Sequence, residues 1–91
     1  KRIAFKTLLK HALLEVGQGL VLDEPETNAT ILANGKLQSN GYIGSIHQLG
    51  AKLKGTPSCN GWVHWHYEDE QTGKRYPIDN LRKQFRAEFT D

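Results

Sequence analysis

The stretch Ala29-Thr30-Ile31-Leu32-Ala33-Asn34-Gly35-Lys36-Leu37-Gln38-Ser39-Asn40-Gly41 decides the fold. It holds two Asn-Gly pairs. Asn-Gly is a strong hairpin signal, because both central positions of a type I′ turn need φ > 0. Asn34-Gly35 separates a strand at Ala29 to Ala33 from a segment at Lys36 to Ser39, and Asn40-Gly41 turns the chain again. Upstream, Leu20-Val21-Leu22 supplies a short strand, joined through an acidic loop around Pro25. The pattern predicts a small antiparallel meander.

Helices flank it. Phe5, Leu8, Leu9, Ala12, Leu13 and Val16 recur at three- and four-residue spacing, one apolar stripe that Gly17 and Gly19 stop. Ser45 is a good N-cap for a helix carrying Ile46, Leu49 and Leu53, which Gly55 and Pro57 end. Gly50 weakens that helix by up to about 1 kcal/mol relative to alanine and leaves room for another backbone to approach. Trp62 to Tyr67 alternates as a strand would, with Val63, Trp65 and Tyr67 on one face and Trp62, His64 and His66 on the other. The loop from Glu68 to Lys74 turns the chain into a last strand at Arg75-Tyr76. Beyond Pro77, Ile78, Leu81, Phe85 and Phe89 make a helical stripe, with Arg82 and Arg86 four apart on its wet side. The sum is an α+β fold, a single domain over residues 1–91 with a small antiparallel β-meander packed against about three helices.

Size and composition limit the chemistry. Ninety-one residues make one core, and 37% hydrophobic with 24% charged residues is ordinary for a globular domain. No run approaches the roughly 18 apolar residues of a membrane span, so no membrane partner is expected. The single cysteine, Cys59, cannot form an internal disulfide, which suits a reducing compartment. The chain has no methionine and reads as a piece of something longer. It has no G-x-G-x-x-G, no G-x-x-x-x-G-K-[ST] and no G-x-S-x-G, so a binding module is a better expectation than a free-standing enzyme.

Charge is sorted along the chain. Eleven of the twelve lysines and arginines lie in three stretches, Lys1 to Lys10, Ser45 to Gly55 and Lys74 to Arg86, with one acid, Asp79, a net of +10. The remainder sets Lys36 against nine acids, a net of −8. If the three stretches share a face, that face attracts polyanions, of which nucleic acid is the commonest. The plainer alternative is three solvated helix faces.

Several residues suit nucleic acid. A helix N-terminus at Ser45 can receive a phosphate, although Ser45 need only cap its own helix. Trp62, if outward between His64 and His66, could stack on a base; if the sheet is buried on both faces, it is core. Arg82 and Arg86 offer paired donors to phosphate, unless Arg82 is spent on Asp79 or Glu15. Lys52 and Lys54 add non-specific attraction. Asn60 could read a base edge, or simply make the turn before Gly61. A metal site from Cys59, His47, His64 and His66 matches no common zinc spacing, and a Cys59–His47 catalytic pair lacks an oxyanion site.

Gly44-Ser45-Ile46-His47, Gly50-Ala51, Cys59-Asn60-Gly61-Trp62 with Trp65, and Pro77-Ile78-Asp79 with Leu81-Arg82 occur in one order. That order resembles the C-terminal domain of cell-cycle-regulated (CcrM-type) adenine-N6 DNA methyltransferases, which act on GANTC. More broadly it resembles the restriction-adenine-methylase-associated (RAMA) domain. The likeness spans nearly the whole chain. It departs at His64, where a phenylalanine-like residue is expected, and in the long acidic loop Glu68 to Gly73. It implies a bacterial, cytoplasmic, nucleoid-associated accessory domain that helps its enzyme hold DNA, duplex or locally strand-separated. It also implies that the catalytic domain, with its S-adenosylmethionine pocket, lies N-terminal to Lys1 in the same polypeptide. No cofactor is expected in this domain. Ser45, Trp62 and Arg82 would carry the DNA contacts, with Asn60, His47, Lys52 and Arg86 in support. The alternative is a protein-interaction or dimerisation module of the same methyltransferase, built on Trp62 and Tyr42; a homodimer is compatible with both.

Overall fold

The two Asn-Gly pairs both make hairpin turns, of different kinds. In the computed structural model, which describes residues 2–89, Asn40 and Gly41 have φ of 53° and 81°. Both are left-handed, as a two-residue I′ turn demands. At the first pair only Gly35 is left-handed, with φ 83°. There the Leu32 N–H donates to nothing nearer than the Lys36 carbonyl, at 2.8 Å, and the Gly35 N–H donates to the Leu32 carbonyl at 3.0 Å. The loop is therefore three residues long, Ala33-Asn34-Gly35, with glycine supplying the bulge. The Asn34 Oδ1 accepts from the Lys36 N–H at 2.9 Å and stiffens it.

The elements run α1 (Phe5–Lys10), β1 (Gly19–Leu22), β2 (Thr27–Ile31), β3 (Leu37–Ser39), β4 (Tyr42–Gly44), α2 (Ile46–Lys54), α3 (Gly61–His64), β5 (Trp65–Glu68), β6 (Arg75–Pro77) and α4 (Asp79–Phe89). The strands form one sheet in the order β4-β3-β2-β1-β5-β6, with every neighbouring pair antiparallel. The α+β architecture expected from the sequence is present, with four helices rather than about three. None of them is long and apolar enough to cross a membrane among the described residues.

Alternation along the strands sets the two faces. Leu20, Leu22, Ala29, Ile31, Leu37 and Trp65 point to the core, which Leu8, Leu14, Ile46, Leu49, Trp62, Ile78 and Leu81 complete. Asn28, Thr30, Gln38 and Ile43 lie on the open face. Each fully buried leucine or isoleucine in such a core contributes about 1.5–3 kcal/mol.

Three expectations are corrected. The first helix does not run to Val16. It ends at Lys10, and Ala12 reverses the chain at φ 60°. The Leu13 N–H then donates to the Leu8 carbonyl at 2.9 Å. Leu14 still reaches the core, delivered by the turn instead of a helix, while Val16 is 57% exposed. The second correction concerns Trp62 to Tyr67. The strand starts only at Trp65, because Asn60 caps a single helical turn, its Oδ1 accepting from the Trp62 N–H at 3.2 Å. Third, Gly50 admits side chains and not another backbone: a Cβ there would lie 2.7 Å from the Cys59 Sγ and 3.4 Å from the Trp65 Nε1.

Candidate nucleic-acid interface

The helical turn α3 changes what Trp62 can do. Three-residue spacing on a helix puts Trp62 and Trp65 on one side, and both are buried, at 8% and 0% exposure. Val63, expected inside, is 47% exposed. The outward indole flanked by His64 and His66 is thus overturned. The Phe5 ring lies against Trp62 with centroids 6.3 Å apart, and the Arg82 guanidinium sits over the indole, its Cζ 4.2 Å from the ring centroid. Asp79 holds that guanidinium from the side: the Arg82 Nε donates to Asp79 Oδ1 at 2.7 Å and Nη2 lies 2.5 Å from the same oxygen. Trp62 is the seat of Arg82. The Asp79 pairing weighed as the plainer alternative is real, and it leaves Arg82 partly exposed and oriented.

The other motif residues meet at the joint between α2 and α3. The Gly61 N–H donates to His47 Nδ1 at 3.0 Å. A ring nitrogen that accepts carries no proton, so in the neutral imidazole the proton is on Nε2, a donor on an exposed residue. Gly61 has no room for a side chain: a Cβ there would fall 2.6 Å from both the carbonyl carbon and the oxygen of Ile46. That same Ile46 oxygen accepts from the Trp65 indole N–H at 2.8 Å. Gly-Ser-Ile-His and Asn-Gly-Trp-x-x-Trp are two halves of one contact.

Ser45 caps α2 as expected, in a capping box. Its Oγ accepts from the Gln48 N–H at 3.0 Å, and the Gln48 side chain reaches back to the Ser45 N–H at 3.5 Å. The hydroxyl proton remains available to an outside acceptor. Asn60 uses its Oδ1 on the cap and keeps its amide donors on an exposed residue. Contacts therefore link His47, Asn60, Trp62 and Arg82 in one chain, with Ser45 beside it at the start of α2. Lys52 is elsewhere. Five residues on from His47, it lies about 140° round the helix at 100° per residue, and its Nζ sits 4.5 Å from the Tyr42 ring centroid. Arg86 lies one turn beyond Arg82 on the exposed part of α4.

The basic stretches do not form one unbroken face. The acidic loop after β1 takes two of their cations. Lys54 Nζ lies 2.8 Å from Asp23 Oδ1 and donates to the Glu24 carbonyl at 2.5 Å, and Arg75 pairs with Glu26 at 3.4 Å. His64 Nδ1 sits 2.9 Å from the other Asp23 oxygen. Burial pushes the Asp23 carboxyl up, but hydrogen bonds from Lys54, His64 and the Glu24 N–H together outweigh it and hold the group well below the usual carboxylate range. Lys1 lies outside the described residues.

Burial raises the Cys59 thiol above its ordinary value, with Lys54 opposing and Asp23 assisting, so Cys59 is a poor nucleophile. Among the described residues no group of three His, Cys, Asp or Glu is placed to hold a metal. An open groove of about 990 Å³ between residues 12–19 and 67–71 carries Glu15, Glu68, Asp69 and Glu70 and no lysine or arginine. It lies toward the Glu68 end of β5, none of the candidate residues lines it, and its charge would repel a polyanion.

The Asn-Gly-Trp-x-x-Trp joint, the capped α2 and the Asp79–Arg82 pair at the start of α4 are thus parts of one packed arrangement. Residues 1–91 match, over their whole length, the family described as Restriction Enzyme Adenine Methylase Associated (RAMA), and the chain belongs to that family.

Proposed function

We propose that this chain is the DNA-binding accessory domain of a bacterial adenine-N6 DNA methyltransferase of the GANTC type. The observation that carries this reading is the Arg82 guanidinium, fixed on the Trp62 ring by Asp79 and still partly exposed, next to the joint that bears His47 and Asn60. A guanidinium already held in place loses little freedom on meeting a phosphate, and its remaining N–H groups suit two phosphate oxygens. Ser45 would donate its hydroxyl proton to a neighbouring phosphate. The Asn60 amide and the His47 Nε2–H would reach further along the strand, and Lys52 and Arg86 would add non-specific attraction. Trp62 serves by seating Arg82, in place of stacking on a base.

The catalytic domain, with S-adenosylmethionine, would precede residue 1 in the same polypeptide, and the whole would work at the nucleoid, as monomer or homodimer. Methylating an adenine requires taking it out of the stack, which costs a few kcal/mol. A second surface holding the distorted DNA, duplex or locally opened, offsets that cost.

The test is a titration of the 91-residue chain with duplex and single-stranded oligonucleotides at two salt concentrations, with wild type and Arg82→Ala. Binding should fall steeply with salt, and the variant should bind more weakly with a shallower salt slope. Equal affinity of the two proteins would remove Arg82 from the interface. Salt-independent association, or self-association without DNA binding, would favour a protein-interaction module instead.

A further inference from the structure

With Trp62 covered, another ring must meet any unpaired base. Among the described residues the aromatic rings are otherwise engaged. Phe5 packs on Trp62, Trp65 has no exposure, Tyr67 and Tyr76 lie 5.9 Å apart, and Phe85 and Phe89 stack at 4.9 Å with His11 against both. Phe89 is 53% exposed but is stacked on Phe85; Tyr42, at 48%, has no ring beside it. Its one close partner is the Lys52 ammonium, over the ring. A cation in that position is drawn by the electron-rich face of the ring.

The ring is also rigidly mounted. Tyr42 follows the Asn40-Gly41 turn and pairs with Ser39 across the hairpin. Two residues on, Gly44 is pressed against the first turn of α2, where a Cβ would sit 3.3 Å from the Leu49 nitrogen. That contact fixes β4 against the helix bearing Lys52. β4 is the terminal strand of the sheet, so no further strand covers that side.

The segment that carries it is free of acids. No aspartate or glutamate occurs between Thr27 and Tyr67, a run that holds Lys36, Lys52 and Lys54. Lys54 is committed to Asp23, whereas Lys52 makes no ion pair among the described residues. An exposed aromatic ring, a lysine ammonium over it and no carboxylate nearby in sequence are elements of a single-strand binding platform.

We infer that Tyr42 and Lys52 form a second nucleic-acid subsite, on the flank of α2 away from His47, that takes an unpaired nucleotide. The base stacks on the Tyr42 ring in place of the ammonium. Lys52, on its flexible four-carbon stem, moves aside to the adjoining phosphate. The inference rests on the DNA-binding reading and specifies which form of DNA the domain prefers: a strand with at least one base free.

Fluorescence anisotropy of the 91-residue chain tests it, with a labelled single strand, the matching duplex, and a strand of the same length whose central nucleotides are abasic. Tyr42→Ala should weaken the normal single strand by about 5- to 150-fold, the range that base–aromatic stacking spans. The same substitution should change binding of the abasic strand and the duplex little. Tyr42→Phe, which keeps the ring, should bind as wild type. Lys52→Ala should reduce the salt slope by about one. An unchanged urea midpoint for Tyr42→Ala shows that the effect is local.

The inference is overturned if Tyr42→Ala binds the normal strand as wild type does, or loses equally on normal and abasic strands. If that happens while Arg82→Ala still weakens binding, only this subsite falls. If wild type binds no oligonucleotide at low salt, the DNA-binding reading falls as well.

Discussion

The Trp65 indole donates its N–H to the Ile46 carbonyl at 2.8 Å, tying the start of β5 to the first turn of α2 through a ring with no exposure. Trp65→Phe removes that donor and part of the ring volume. A hydrogen bond is worth about 1 kcal/mol net and the cavity adds to it, so a loss of about 2 kcal/mol or more is expected from urea denaturation.

Gly61→Ala should be worse than its one added methyl suggests. The new carbon would fall 2.6 Å from backbone atoms of Ile46, and backbone yields less readily than a side-chain tip. Overpacking of this kind costs about 1–3 kcal/mol, and here the Gly61 N–H to His47 bond is strained as well. Gly41→Ala, in open space at φ 81°, should cost only the left-handed penalty, about 1 kcal/mol. Thermal denaturation of the two variants gives the comparison.

Two substitutions at Ser45 separate its roles. Ser45→Ala removes the cap and should destabilise by about 1 kcal/mol. Ser45→Asp keeps a capping oxygen and places a negative charge at a helix N-terminus, so stability should be retained. If phosphate lies there in the complex, the aspartate repels it, and DNA affinity should fall below that of the alanine variant. A Ser45→Asp variant with both the stability and the DNA affinity of wild type would limit Ser45 to capping.

Acid should loosen the loop after β1. The folded-state pKa of Asp23 is depressed, so its stabilising contribution is complete above its unfolded value of about 4. The contribution is lost as pH falls through that region toward the folded value, because the unfolded chain binds the proton first. Wild type should therefore lose urea resistance from about pH 5 downward, and Asp23→Asn should show a flatter profile with lower stability near pH 7.

Much of the fold could be read from the sequence, and the misses have physical causes. The Asn40-Gly41 turn, the cap at Ser45 and the last helix rest on local chemistry, which a sequence displays; at Asn34-Gly35 the sequence shows a hairpin but not its three-residue loop. The apolar stripe overextends the first helix because Leu13 suits both a helical stripe and the left-handed turn at Ala12; tertiary packing decides between them. At Trp62 to Tyr67, alternation and i,i+3 spacing coincide when tryptophans sit at 62 and 65, so the pattern alone does not separate a strand from a helical turn. The Asn60 cap was the available clue. For the site, residue identity pointed to Arg82, while its dependence on Trp62 and Asp79 needed three dimensions. Tyr42 lies in no motif and enters the sequence reading only as part of an apolar patch with Trp62; its place under the Lys52 ammonium needs three dimensions.

The joint between α2 and α3 has a consequence for how such a domain can change. Its pieces are keyed to one another: no side chain at 61 or at 50, an acceptor at 47, an indole donor at 65. Altering any one leaves its counterpart without a fit, so the signature of the chain is chiefly a record of how it closes. Outlying positions such as 42 and 52 stand outside these contacts and can vary while the clasp stays shut.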